Sequence, residues 1–533
     1  MSFLPAVEVP ALDASCLRVH RFSPRKTTRL LALLATLLPA TLPAAVTNYV
    51  WDGNAPTGSG NPRWSNAANW SATNTAPPAS TMTGLTNTDI TFAGNLKTSP
   101  QMNNNYFIRT LNFSPTAAAF TLTSQGGATL SLGTGGINNF STNRQTILST
   151  LSVSNSQTWN ASAGNLNIGG IVNLANANPL TVTGDHTTSV SNVIRGSGSL
   201  IKQGEGALIL GGNTANTFTG GVTIQDGSVI AAKTNALGGG SLMMLGGTLD
   251  IGSLDQNVSS FFVLGGTVQS TTGSLLSSSS YQIQAGNISS RLGGSGGLFK
   301  TTTGVATLSA ANTYSGGSSV SGGTLLVNNA TGSGTGSGNV SVSNGGSLAG
   351  TGSISGFVTN ASGGSISAGD LVGVLNLNSM VWLGGSTNRW DINDATGGAG
   401  IGWDLLDLSG SLTISATSSN KAYIDITSFT LGGLSGLAEN FNPTNNYLWT
   451  ILTAEGGISF IPGEDELSVL ELITGSYQNP QGGGHFGIYV STDGKSLNLI
   501  YTPYVPVPEP SALALICLTA CGIIYGRRMR NVW

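Results

Sequence analysis

Carboxylates are the one chemically capable group that this chain sets out in pairs. Asp250 precedes Asp255, Asp391 precedes Asp394, and Asp404 precedes Asp407. Glycoside hydrolysis uses two carboxyls about 5–10 Å apart across a sugar ring, so each pair is a candidate for that reaction. Such a site also gathers Arg, Lys or His around its acids, and here those residues are sparse. Asp391, Asp394 and the run Glu464-Asp465-Glu466 could also offer oxygen ligands to calcium. An acidic run is more often a solvated face. His20, His186 and His485 each stand alone in the sequence. No Ser-His-Asp ordering with a Gly-x-Ser-x-Gly elbow stands out, and there is no His-Glu-x-x-His pair. No catalytic, cofactor-binding or metal-binding residue is nominated, and no cofactor is expected. A carbohydrate-active enzyme remains the alternative to a non-catalytic role.

The background against which these acids stand is unusual. Charged residues make up 8% of the 533, against roughly 25% in an average soluble domain. Glycine is abundant, at 76 residues, yet hydrophobic residues reach 39%, which argues against disorder. Between Val46 and Gly526 there are 12 basic and 21 acidic residues, a net of −9. Phosphate neutralisation supplies most nucleic-acid affinity, so that balance excludes DNA and RNA as partners. The three cysteines are Cys16, Cys517 and Cys521. The long middle therefore has neither a disulfide nor a cysteine metal site.

What must position any site is a repeat. Gly196–Ile230 reads GSGSLIKQGEGALILGGNTANTFTGGVTIQDGSVI, and a second copy begins at Gly294 with GSGGLFK. Leu200, Lys202, Gly206 and Leu210 answer to Leu298, Lys300, Gly304 and Leu308 at an offset of 98. Phe218, Gly220, Gly221 and Gly227 answer to Tyr314, Gly316, Gly317 and Gly323 at an offset of 96. Asp226 has no acidic counterpart, since Gly322 stands in its place. Each copy reads as short alternating strands joined by glycine corners. One unit has too little apolar surface to fold alone, so neighbours must stack. Strand-and-turn signals recur over 101–369, among them Tyr106 to Phe113, Thr146 to Val153 and Val190 to Ile194.

The pattern Gly-x-Gly-x-Leu-x-Lys, Gly-x-Leu-x-Leu, Asn-Thr-(Phe/Tyr)-(Thr/Ser)-Gly-Gly resembles the autotransporter-associated β-strand repeat, over 196–230 and 294–326. The second copy departs from the middle element, with Gly304-Val-Ala-Thr-Leu308. The resemblance implies a right-handed parallel β-helix displayed on a bacterial surface. It does not say what that surface binds. The translocating barrel of a true autotransporter is not expected here. Trp533 is a terminal aromatic, but apolar helix and arginines precede it rather than an alternating strand.

The flanks carry an address. Residues 1–45 read as a signal peptide, with a basic region ending at Arg29 and an apolar run Leu30–Leu38. Residues 46–100 hold Trp51, Trp64 and Trp70. These are expected to cap the first rung rather than to stand exposed as a platform for sugar rings. Residues 370–505 are richer in tryptophan and acid and read as a C-terminal β domain. At 506–530, Val507-Pro508-Glu509-Pro510-Ser511 precedes an apolar run, 512–526, and then Arg527, Arg528 and Arg530. This layout resembles the PEP-CTERM sorting signal. The resemblance implies passage through the inner membrane and cleavage by an exosortase-type enzyme. The run would span about 22 Å as a helix, short of the roughly 30 Å hydrocarbon core but within reach of local thinning. The arginines would hold its far end in the cytoplasm.

The expectation is therefore an all-β solenoid with one C-terminal transmembrane helix, exported and then held at the surface or released into a matrix. Its partners would be the exosortase, the membrane and an exopolysaccharide. Its role would be structural or adhesive.

Overall fold

The computed structural model describes residues 45–54, 62–71, 76–77, 87–271, 275–277, 279–465 and 467–506. The chain divides into a unit of residues 1–47, of which only 45–47 are described, and a second unit that starts at Asn48. The fold below is that of the second unit.

It is a parallel β-solenoid, of the right-handed type that parallel crossovers take. Among the described residues the only helix is a single 3-10 turn, Ala67–Asn69. The chain visits one face, turns a corner, visits a second face, and returns about 20 residues later to lie beside its earlier self. On the first face Leu180, Leu200, Val222, Leu242, Phe261, Tyr281 and Leu298 pair in unbroken register. On the second face Leu208, Val229, Leu249, Val268, Ile288, Leu308 and Val327 do the same. Every one of these side chains is buried. Alternation in the sequence becomes apolar columns along the axis. Each Leu, Val or Phe so placed contributes about 1.5–3 kcal/mol relative to exposure. The second-face ladder holds seventeen strands, which at about 4.8 Å per strand spans roughly 75 Å.

The parallel ladders do not stop at Gly369. Thr387–Ile392, Ala422–Ser428 and Leu470–Ser476 continue the second face. Among the described strands of this region only the hairpin His485–Val490 and Ser496–Thr502, laid on Tyr447–Ala454, is antiparallel. Here the coils lengthen. Met380 pairs with Leu412, and Leu412 with Ile458. The extra residues form loops outside the coil.

At the other end, Trp51 pairs with Trp70 across an antiparallel bridge. The rings of Trp51, Trp64 and Trp70 are wholly inside. Trp51 and Trp64 stand edge-on to Trp70 at 5.1 and 5.9 Å, and Phe92 and Tyr106 join them. That is burial over the first rung and not an exposed platform.

Some strands differ from their sequence reading for a visible reason. Thr146 to Val153 is two strands, Gln145–Ile147 and Thr150–Val153. Leu148 lies at the corner between them with half its surface in water. Val190 to Ile194 likewise straddles a corner, between Thr188–Val190 and Ile194–Gly196. An apolar run that continues through a bend hides the bend from periodicity. Among the described residues no helix is long and apolar enough to cross a membrane. The signal peptide (except residue 45), the sorting motif Val507, Pro508, Glu509, Pro510, Ser511, Arg527, Arg528 and Arg530, and the 512–526 span lie outside the described residues.

Candidate functional site

Two sets of polar side chains distinguish this solenoid, and they lie on opposite sides of its wall. The first belongs to the repeat and points inward. Leu200 and Lys202 share the inner side of one strand, as do Leu298 and Lys300. The lysine stems lie in the core and their ammonium groups reach the next corner. The Lys202 Nζ donates to the carbonyls of Gln203 at 2.8 Å and Gly204 at 2.5 Å. The Lys300 Nζ donates to Thr302 and, at 2.8 Å, to Gly322. Burial lowers both ammonium pKa values; at Lys202 the nearby Asp226 opposes it. The corner glycine faces this ammonium. Gly227 and Gly323 have φ of +64° and +60°, and a Cβ there would lie 2.6 and 2.5 Å from the two Nζ atoms. Lysine and glycine recur together because one fills the space that the other leaves.

The repeat's asparagine is equally inward. Asn216 Oδ1 accepts from the Ile194 N–H of the preceding coil at 2.8 Å, and its Nδ2 donates to Ala236 O of the following coil at 2.6 Å. Asn312 repeats the bridge with Leu292 and Gly334, at 2.8 and 2.5 Å. Phe218 and Tyr314, two residues on, are buried. The Tyr314 hydroxyl lies 2.7 Å from Ser318 Oγ. This set is structural. It satisfies backbone groups at corners where no strand can.

The second set faces outward on the last coils. Arg389 pairs in register with Asp425, and Asp425 with Ile473. Asp391 pairs with Thr427. The side chains between them, Trp390, Ile424 and Ile426, are buried in the coil. The ladder is irregular between Asp425 and Thr427 where it meets Ile473 and Ser476, and such a bulge re-aims side chains. Phe429, Ser435 and Gln478 rise beside the strands and make an open groove of about 530 Å³. The Arg389 Nε donates to Asp391 Oδ1 at 2.9 Å, and its guanidinium lies 5.6 Å from the centre of the Phe429 ring.

Below the groove lies Asp404. Its Oδ1 accepts from Gly373 N–H at 2.9 Å, and its Oδ2 from Ser367 Oγ and Asp391 N–H, both at 3.2 Å. Asp404 thereby closes the loop that leaves the coil after Ile392. Burial holds its carboxyl well above the usual range, and the charge of Asp391 adds to that; the three donors oppose it. Burial pushes Asp391 up to about 7 against the pull of Arg389, with Asp425 adding to the rise. Asp425 is raised by burial too, and Arg389 opposes it. Its Oδ1 is out of water and accepts no hydrogen bond.

The structure thus regroups the acids read from sequence. Asp391 joins Asp404, not Asp394. Asp394 is near the surface, where Thr396 and Asn440 donate to it and lower its pKa. Asp407 accepts from Thr453 Oγ1 at 2.6 Å in a different groove, lined by Ile354, Leu377 and Glu455. Asp250 accepts from Gly252 N–H and Gln269 Nε2. Glu464 accepts from Ser418 N–H. His186 and His485 are exposed. Among the described residues no group of three or more His, Cys, Asp or Glu is placed to hold a metal. Sequence reading missed Arg389 with Asp425, Thr427, Phe429 and Gln478. The signal was present: Arg389-x-Asp391 and Asp425-x-Thr427 alternate with residues that must face the core.

Residues 200–231 and 298–327 match the family described as passenger-associated-transport-repeat. Over 177 residues, 31% of this chain, the sequence is 34% identical to the adhesin BmaC autotransporter of Brucella suis biovar 1 (strain 1330). The chain spans 5% of the length of that relative. The inward lysine, asparagine and aromatic described above fall within the two matched segments, so the chain is a β-solenoid that carries two passenger-associated transport repeats.

Proposed function

We propose that this chain is an exported adhesive or structural solenoid, displayed on a bacterial surface or released into an exopolysaccharide matrix. A leader at 1–45 would direct export. The signal at 506–530 would then hold the chain at the inner membrane until an exosortase-type enzyme cuts near Pro508-Glu509-Pro510. The single observation that carries the adhesive reading is the pair of passenger repeats within a continuous coil. The likeness to an adhesin supports the same direction. A long solenoid also suits display, because its outer faces offer a long surface to partners.

Mass spectrometry of the mature protein from its host tests the address. The reading expects the N-terminus near residue 46 and loss of the chain beyond Pro510. A secreted form that keeps Trp533 sinks the sorting step. Deletion of the protein should lower attachment to matrix or to other cells, and unchanged attachment sinks the adhesive role.

The late-coil acids favour one second reading, a carbohydrate-active enzyme. Asp391→Asn and Asp404→Asn test it better than alanine, since both side chains are buried. Turnover of polysaccharide by the wild type, lost in both variants, would select the enzyme.

A further inference from the structure

We propose that the groove walled by Arg389, Asp425, Thr427, Phe429 and Gln478 binds a neutral saccharide. The choice of ligand class rests on the matrix-facing role above, whereas the choice of place rests on geometry alone. Three features point to a ligand here. The first is the Asp425 Oδ1, withdrawn from water and without a donor. A buried carboxylate oxygen left unpaired is costly, and a turn of the Asp425 carboxylate into the groove that it lines would let a ligand hydroxyl satisfy it. The second is Arg389. Its Nε is committed to Asp391, while a guanidinium has further N–H groups in a fixed plane. Its side chain keeps 41% of its surface exposed. The third is rigidity. Gln478 N–H donates to Ser428 Oγ and its Nε2 to Ser435 Oγ, both at 2.7 Å. The wall that carries Gln478 is therefore fixed before any ligand arrives, which lowers the cost of binding.

Donor and acceptor on adjacent rungs suit a molecule with neighbouring hydroxyls. One hydroxyl donates to Asp425 and the next accepts from Arg389, beside the largely buried Phe429 that lines the groove. Charge disfavours an acidic ligand. A uronate would set its carboxylate against that of Asp425, which lines the groove.

The test uses the purified full-length chain with three probes: cellohexaose, maltohexaose and an oligogalacturonate of equal length. Titration calorimetry should find a neutral hexamer bound and the galacturonate at least tenfold weaker. Asp425→Asn, close to isosteric, should raise Kd for the neutral sugar at least tenfold. Gln478→Ala, at the lip, should raise it several-fold with the thermal melt unchanged. Asp250→Asn, far away on the coil, should leave Kd within twofold. The proposal is overturned if neither neutral hexamer binds, if the galacturonate binds tightest, or if both groove variants bind like wild type. A chain that is exported and adhesive yet binds no sugar here sinks this inference alone. Sugar binding by a chain that never leaves the cytoplasm sinks the address alone.

Discussion

The coils that contain the two repeats and the coils that follow Gly369 use the same backbone path for opposite ends. In the repeat coils the distinctive polar groups point in. Lys202, Lys300, Asn216 and Asn312 are buried, and each is bonded to the main chain. Their chemistry is consumed by the fold. In the later coils the polar row points out, over a buried acid, and one of its carboxylate oxygens has no donor. A solenoid wall separates holding the rod together from meeting something else, and the side of the strand that a charged residue takes decides which it does.

The contrast breaks most sharply at glycine. Gly227→Val places a branched side chain at positive φ and against the Lys202 ammonium. A loss of about 3–5 kcal/mol is expected from strain and overpacking. Gly323→Val should cost about the same, because its surroundings repeat those of Gly227. A Cβ added at Gly475, in the groove strand, would meet nothing within 4 Å. Gly475→Ala should cost less than about 1 kcal/mol. Urea unfolding followed by circular dichroism reads all three. Equal losses at Gly227 and Gly475 would mean that the repeat corner is not special.

Next in size is the asparagine bridge. Asn216→Ala leaves the Ile194 N–H and the Ala236 carbonyl without their partner. A loss of about 2–4 kcal/mol follows from two unsatisfied groups. Hydrogen exchange should localise it, with protection falling in the coils on either side of Asn216 and holding near Asn312. Protection lost evenly along the rod would show that the coils melt as one unit and that nearest-neighbour stacking is the wrong description.

How much of this could be read from residues alone follows the same division. The coil, its columns and the repeat were legible because inward apolar residues recur at period two and glycine marks corners. Lys202 was legible as a member of the repeat but not as an interior cation. Its amine finds carbonyls at the following corner, and that depends on how the strand bends at Gly204. The acid pair Asp391 and Asp404 was obscured because eleven residues loop out between Ile392 and Asp404. Sequence neighbours such as Asp394 and Asp407 then looked like partners. The groove itself depends on register between strands 36 and 48 residues apart in the chain, which no local pattern carries.

The two regions should also respond to pH with opposite sign. Asp391 and Asp404 hold protons more tightly folded than unfolded, with Asp391 titrating at about 7. The native state then binds more protons than the unfolded chain from about pH 4 to 7. Stability of the late coils is fullest at the acid end and falls as pH rises through 7, by up to about 1.4 kcal/mol per pH unit while one group titrates. Asp391→Asn should flatten that slope. Lys233, near the first repeat, is pushed down to about 8 by burial. There the unfolded chain binds more protons between about pH 8 and 10.5, so stability rises across that window. Exchange measured coil by coil at pH 5, 7 and 9 separates the two. A common sign in both regions would sink the assignment of these groups as the pH-sensitive ones.

The smallest effect belongs to an acid that looked capable in sequence. Asp250 lies on the second face, its oxygens taken by Gly252 N–H and, on the next coil, by the Gln269 amide. The bond from Gln269 is exposed and that from Gly252 half-buried, so water can replace them at modest cost. Asp250→Asn keeps the shape and an oxygen acceptor, so stability should move by less than about 0.5 kcal/mol. Sugar affinity should not move at all. The comparison with Asp425→Asn is then between two outward aspartates on the same face, several coils apart, which differ in hydrogen bonding and in surroundings. Asp250 has its hydrogen bonds and Asp425 Oδ1 has none. If the two variants change affinity alike, an unpaired buried oxygen is no guide to where this solenoid meets a ligand.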